Sequence, residues 1–275
     1  MNTAPKRTLM CILAHPDDET LGTGGTLAKY GRDGVDTYVV SATRGERGRF
    51  GDAQERPSLE EVGRVREKEL RCAADKLGVT GVTFLDYIDG DVSAAHPDDF
   101  IAKAVNEIRS RRPQVVITFG PEGGYGHPDH IAVSQFTAAA ILCAADTDYN
   151  GSKDVAVITE PHTVSKLYYM AWGPDQWDAY QTAFKRLVTK VDGVEREATP
   201  YPDWLITTRI DTSDHWETVW QAVQCHQTQI AIYKKLHELP DDKLAAIWGR
   251  QTYYRVMSIV NGGRERETDL FEGIE

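Results

Sequence analysis

The strongest constraint on the fold of this chain is an alternation. Short apolar or β-branched runs recur along the first 173 residues, separated by longer segments whose apolar positions follow helical spacing. TLMCILA (8–14), VDTYVVSA (35–42), VTFLD (82–86), PQVVITFG (113–120) and VSKLYYMAWG (164–173) read as strands. TLMCILA carries almost no polar side chain, as expected of a strand buried on both faces. Of the intervening segments, LEEVGRVREKELRCAADKL (59–77) closes at Gly78, and DDFIAKAVNEIRSRR (98–112) puts Phe100, Ile101, Ala104, Val105 and Ile108 on one side. ETLGTGGTLAKYGRDG (19–34) and HIAVSQFTAAAILCAA (130–145) complete the set. This order predicts an α/β fold: a Rossmann-like, doubly wound, mostly parallel sheet with right-handed crossovers. The last third reads as a mostly helical elaboration, around 176–190, 213–239 and 242–248, with a late strand at TYYRVMSIV (252–260). The expectation is one domain over 1–275, with a core of about 8–173, a helix-rich C-terminal elaboration of about 174–261 and a loose charged tail of about 262–275.

Composition narrows the partners. A formal net charge of −11 argues against nucleic acid or an anionic membrane. No stretch approaches the roughly 18 apolar residues that span a bilayer, and the apolar run 9–14 is too short for the core of a signal peptide. Cys11, Cys72, Cys143 and Cys225 are widely spaced with no C-x-x-C pair, and read as small buried hydrophobes of a reducing, cytoplasmic protein. The expected partner is a small molecule, and a homo-oligomer is compatible with the sequence.

Chemistry concentrates in three His-Pro-Asp motifs. AHPDD occurs at 14–18 and again at 95–99, and HPDH at 127–130. In open α/β sheets, ligands bind beyond the carboxyl ends of the strands. The first AHPDD sits at such an end, and HPDH follows the fourth strand through PEGGYG. The second AHPDD follows a polar stretch and opens a helix, where Pro97, Asp98 and Asp99 suit the first turn. An isolated His-Pro-Asp is commonly a turn or a cap; two at neighbouring strand ends, with complementary ligand counts, indicate a metal site. Pro16 breaks the strand, so His15 and Asp18 can chelate one ion while Asp17 stays beside it. His127 and His130, three apart at a helix start, share a face.

Two histidines and one carboxylate suit zinc or a similar transition metal and leave a position for water. Zinc lowers the pKa of water from about 15.7 to about 7. An unliganded carboxylate is then a natural general base, and an unliganded histidine an acid or oxyanion stabiliser. Spacing alone does not choose His130 over His127 as the ligand. GTGGT (22–26) lacks the dinucleotide spacing and follows acidic residues, so its glycines read as packing positions.

AHPDDETLGTGGTLAKY, TRGERG, VREKELRCAADKLGV, GGYGHPDHIAV and the later CHQTQ, in this order, resemble the LmbE-like (PIG-L) family of zinc-dependent N-deacetylases. Their motifs are similar above all to the mycothiol- and bacillithiol-pathway N-acetylglucosaminyl deacetylases. The resemblance implies His15, Asp18 and His130 as ligands of one zinc per chain, Asp17 as general base, His127 at the tetrahedral intermediate and Asp129 orienting His127. It further implies substrate contacts from Arg66 and Tyr125. Arg44, Arg47 and Arg49 of TRGERGRF are candidates to hold an anionic part of the substrate, with Arg44 the foremost. His226 reads as structural. The implied activity is removal of an N-acetyl or similar acyl group from a glucosamine-type amide. The competing readings are a non-haem Fe(II) enzyme on the same two-histidine, one-carboxylate set and a noncatalytic carbohydrate-binding module.

Overall fold

The computed structural model describes residues 6–51, 55–183, 188–191, 193–263 and 265–275. Five strands, β1 (Thr8–Leu13), β2 (Asp36–Thr43), β3 (Gly81–Tyr87), β4 (Val115–Thr118) and β5 (Lys166–Met170), pair in parallel in the order β3-β2-β1-β4-β5. Helices α1 (Asp18–Arg32), α2 (Leu59–Lys76), α3 (Pro97–Arg111), the short α4 (Gly123–Gly126) and α5 (Pro128–Ala145) connect them. The fold is thus the expected mostly parallel α/β sheet, and β1 is buried along its whole length. Strand order reverses between β1 and β4, which makes the crevice at their carboxyl ends the topological switch point.

Local chemistry accounts for the helix limits. The Ser58 hydroxyl accepts from Glu61 N at 3.2 Å and starts α2, and Gly78, at φ 70°, ends it. The second AHPDD starts α3 with Pro97 in its first turn, and the His96 side chain is 70% exposed there, away from the crevice. Gly25 lets α1 pack closely, because a Cβ at that position would lie 2.8 Å from Thr212 Cβ.

The C-terminal part departs from its expected helical character. After α6 (Pro174–Ala183), residues 188–190 lie in β6 (Val188–Val191), which forms a hairpin with β7 (Val194–Glu197); residues 184–187 of the expected helix lie outside the described residues. β8 (Thr208–Asp211) was not anticipated. It pairs antiparallel with β9 (Arg250–Ser258), which pairs antiparallel with β5, so the sheet has seven strands. The expected helix over 213–239 is broken into 3-10 turns, α7 (Trp216–Val223) and α8 (Ile230–Tyr233), followed by α9 (Asp241–Trp248).

The tail is not loose. Glu267 is buried and takes bonds from Lys166 Nζ (2.7 Å), Tyr168 (2.7 Å), Thr208 (2.8 Å) and Asn261 (2.8 Å), and Leu270 and Phe271 enter the core. The tail's charge pattern hid these two apolar anchors and the buried Lys166 that needs a counter-ion. The reading of four unpaired cysteines also needs correction. Cys72 and Cys225, 153 residues apart in sequence, form a disulfide between α2 and the segment after α7; Cys11 and Cys143 are free. The packing of α7 on α2 creates the pair, and no local spacing announces it.

Candidate metal centre

His15 and Asp18 leave β1 through the bend at Pro16, and the bend closes on itself when His15 N donates to Asp18 Oδ2 at 2.8 Å. His130 enters from the first turn of α5, stacked on Phe119. His15 Nδ1 lies 3.2 Å from His130 Nε2, and Asp18 oxygens lie 3.7 Å from the former and 3.6 Å from the latter. Donors bound tetrahedrally to one ion at about 2.0–2.1 Å are about 3.3–3.4 Å apart, so this trio has the spacing of a chelate. Behind it, His15 Nε2 is 3.0 Å from Asp89 Oδ1 and 3.1 Å from Asp129 Oδ2. Two carboxylates on one ring nitrogen keep the hydrogen there and turn the Nδ1 lone pair towards the trio. The residues present therefore fit a divalent cation.

The ring nitrogens of His15, His127 and His130 also lie within 4.8 Å of one another, as do donors of His15, Asp89 and Asp129. The second group is the less suited to an ion, because Asp129 already accepts from Gly90 N at 2.6 Å and Val92 N at 3.1 Å. Asp129 thus holds His15 and the 90–92 loop. The expectation that its carboxylate orients His127 is corrected: the contact to His127 runs from Asp129 backbone N to His127 Nδ1, at 3.2 Å. The first turn of α5 aims the Asp129 side chain at His15 and the 90–92 loop and leaves its N–H for the preceding histidine.

Charge follows this geometry. Without a metal, burial alone would push His15 down, but Asp129, Asp89 and Asp18 outweigh it and carry it up to about 10, so an ion binding at Nδ1 displaces a proton from that nitrogen. Asp89 is held down at about 2 because the His15 ring overrides its burial. Burial drives Asp18 up to about 7, against the pull of His15. Burial and the neighbouring His15 push His127 down and His130 well down, which favours the neutral form of both rings and leaves His130 a lone pair to offer.

Asp17 stands next to the trio at φ 109°, a left-handed conformation rare for a residue with a side chain. Its N–H donates to Glu19 Oε2 at 2.9 Å, and its Oδ2 accepts from Arg66 Nη2 at 3.1 Å and Tyr233 at 2.8 Å. Arg66 is buried and also donates to Gly45 O at 2.9 Å and Pro16 O at 2.5 Å, so it braces Asp17 and the metal loop. Gly45 is required there, since a Cβ would fall 2.0 Å from Arg66 Nη1. His226, expected to be structural, is buried 3.0 Å from Glu19 Oε1.

The trio opens into a cavity of about 400 Å³ with a mostly apolar wall that includes Leu21, Met170, Trp172 and Tyr180. Tyr125 lines it too, packed edge-on against His127 and His130. Arg44 does not line it. That arginine pairs with Glu67 and Asp86 over the Phe84 ring, because β2 ends on the α2 side of the crevice. Arg47 pairs with Asp91, so neither residue is free for an anionic ligand. Sequence reasoning missed Asp89, Trp172, Gln229 and Tyr233 on the cavity wall. Asp89 could have been found, since it follows β3 at a carboxyl end; nothing local marks Tyr233.

A buried two-histidine, one-carboxylate cluster at the switch point of a parallel sheet, open to a cavity and flanked by a braced aspartate, has the donor set and spacing of a divalent-metal site in an α/β fold. The chain belongs to the PIG-L family, described as GlcNAc-PI de-N-acetylase, whose model matches residues 10–141. It is 34% identical over 98% of its length to 99% of a 1D-myo-inositol 2-acetamido-2-deoxy-alpha-D-glucopyranoside deacetylase of Rhodococcus jostii. It is 32% identical over 97% of its length to 97% of a mycothiol S-conjugate amidase of Streptomyces coelicolor. Among solved structures, the N,N'-diacetylchitobiose deacetylase of Pyrococcus horikoshii shares the fold at a TM-score of 0.59 and 20% identity, over 89% of this chain and 73% of that one. GalB, the 4-carboxy-2-hydroxymuconate hydratase of Pseudomonas putida, also shares it, at 0.68 and 18%, over 94% of this chain and 99% of that one.

Proposed function

We propose that this protein is a zinc-dependent N-deacetylase that removes the acetyl group from an N-acetylglucosaminyl compound with an uncharged aglycone. The observation that carries the reading is the convergence of His15 Nδ1, His130 Nε2 and the Asp18 carboxylate beside Asp17. The similarity to deacetylases and an amidase over nearly the whole chain supports it. The chain's single-domain organisation, and a cytoplasmic setting for a small-molecule substrate, belong to the same proposal. Among the described residues no helix is long and apolar enough to cross a membrane.

His15, Asp18 and His130 would hold the ion, which when bound supplies Lewis acidity towards the acetamide carbonyl and lowers the pKa of water. Asp17 takes a proton from the attacking water and returns it to the departing amine. His127 Nδ1 accepts from Asp129 N, which leaves the ring hydrogen on Nε2. The neutral His127 therefore acts as a hydrogen-bond donor to the carbonyl oxygen as charge develops on it. Asp89 and Asp129 keep the His15 ring in place throughout. The apolar wall of Trp172 and Met170 suits a sugar face. Among the described lining residues Arg66 is the sole lysine or arginine and is already engaged by Asp17, and with Glu122 on the rim this disfavours a phosphorylated aglycone.

Acetate and free amine are measured with N-acetylglucosamine and its inositol, malate and chitobiose derivatives. The inositol conjugate is expected to give the highest turnover, and Asp17→Asn to keep the metal while losing at least 100-fold in kcat. No acetate from any of them, or full turnover by Asp17→Asn, contradicts the reading. Metal analysis separates zinc from Fe(II), the competitor for the same ligand set.

A further inference from the structure

Nine residues from the far end of the chain, Cys225–Tyr233, reach the crevice and grip Asp17. The segment runs along one face of α2, where Arg66, Glu69 and Cys72 follow one another at three-residue spacing. Cys225 is bonded to Cys72. Thr228 donates through N and Oγ1 to the two Glu69 oxygens, each at 2.7 Å, and Gln229 donates to Arg49 O at 2.7 Å. Thr228 O accepts from Gly51 N at 2.7 Å. The segment is thereby tied at four places before it arrives at Asp17.

It acts on Asp17 once through Glu19 and once directly. His226 Nε2 lies 3.0 Å from Glu19 Oε1, and the other Glu19 oxygen accepts the Asp17 N–H at 2.9 Å. That contact secures a backbone conformation that a non-glycine residue rarely adopts. The Tyr233 hydroxyl then donates to Asp17 Oδ2 at 2.8 Å, the same oxygen that Arg66 engages at 3.1 Å. Both donors share Oδ2, and among the described residues none holds Oδ1.

We propose that Tyr233 is the positioning residue for the proton-accepting carboxylate of Asp17: with Arg66 it fixes Oδ2 and leaves Oδ1 to take the proton. Without the hydroxyl, the planar guanidinium of Arg66 is free to engage both oxygens of the carboxylate, the arrangement arginine favours, and Oδ1 is withdrawn from use. Tyr233 is itself buried, which limits the ways its ring can turn away from Asp17. The inference rests on the proposed role of Asp17, and its test is arranged to stand apart from that role.

The test uses Tyr233→Phe in the full-length, zinc-loaded protein. The kcat for acetate release is expected to fall about 10-fold or more, with KM within about twofold and one zinc per chain retained. In an Asp17→Asn background the same substitution is expected to cost less than about twofold, because the group it positions is already changed. The contact is also read without substrate, in protein carrying 13C at the aspartate carboxylates: the resonance lost in Asp17→Asn is expected to move in Tyr233→Phe. Unchanged kcat, an equal loss in both backgrounds, or an unmoved Asp17 resonance overturns the inference. A wrong substrate class would silence the kinetic arm alone, and the resonance shift would then decide. Should Tyr233→Phe fail to fold, Gln229→Glu serves: it loosens the tie to Arg49 O, and the same Asp17 resonance is expected to shift, an unmoved one counting against the inference.

Discussion

Asp129→Asn tests how the metal trio is built. Asp129 is fully buried, and its Oδ2 serves both Gly90 N and His15 Nε2 while Oδ1 serves Val92 N. An asparagine keeps the shape. Its better orientation leaves the amide oxygen at the Oδ2 place and turns the NH2 group onto Val92 N–H, donor against donor. One buried donor left unpaired costs about 1–3 kcal/mol of stability. The His15 ring also loses one of its two anionic partners and keeps Asp89 at 3.0 Å. Loss of such a supporting carboxylate typically weakens metal affinity about 10–100-fold, which is about 1.4–2.7 kcal/mol at 1.36 kcal/mol per tenfold. Asp89→Asn is expected to cost less, since Asp129 remains, and the double substitution more than the sum, because each carboxylate covers for the other. Metal-free protein is titrated with zinc in competition with a chromophoric chelator, alongside a thermal melt. A zinc affinity within about twofold of the parent's, with an unchanged melt, would refute the role of Asp129 behind His15.

Two further outcomes follow from the C-terminal half. Closing a 153-residue loop, Cys72–Cys225 is worth at most about 5 kcal/mol by chain entropy, so the paired Cys72→Ser/Cys225→Ser protein should unfold at clearly lower denaturant than the oxidised parent. Coincident unfolding curves, or four titratable thiols in the unfolded, unreduced parent, would contradict the pairing. Glu267 is held down at about 2, against an ordinary 4.5, as Lys166, Asn261, Tyr168 and Thr208 override its burial. A folded value below the unfolded one means the unfolded chain binds the proton first. The resulting stability, about 3 kcal/mol, is present above pH 4.5 and fades as the pH falls towards 2. Glu267→Gln should flatten that part of an acid stability profile, and an unaltered slope would count against it.

Legibility tracked how local each signal was. β1, the bend at Pro16 and the first turn of α5 are written in consecutive residues, so His15, Asp17, Asp18, His127 and His130 can be brought to one rim from the sequence alone. The second AHPDD is separable by the absence of a strand before it, and it does open α3. What stayed hidden depends on partners far away in sequence. Tyr233 meets Asp17 across 216 positions, and Glu267 meets Lys166 across 101. β8 has only four residues and gains its place from pairing with β9, a tertiary effect that weak local propensity does not register. Arg44 looked available because TRGERGRF is basic, but Glu67 and Asp86, which neutralise it, come from α2 and β3.

The central claim is a single divalent ion on His15, Asp18 and His130 serving amide hydrolysis. The most direct measurement is stoichiometric reconstitution: protein stripped with a chelator, dialysed, and assayed for acetate release from the proposed substrate, the N-acetylglucosaminyl-inositol conjugate, as zinc is added. The account predicts no release without metal, a linear rise that ends at about one equivalent per chain, and no rise at that equivalence for His130→Ala. Full activity in the stripped protein, or an undiminished rise in His130→Ala, would contradict it.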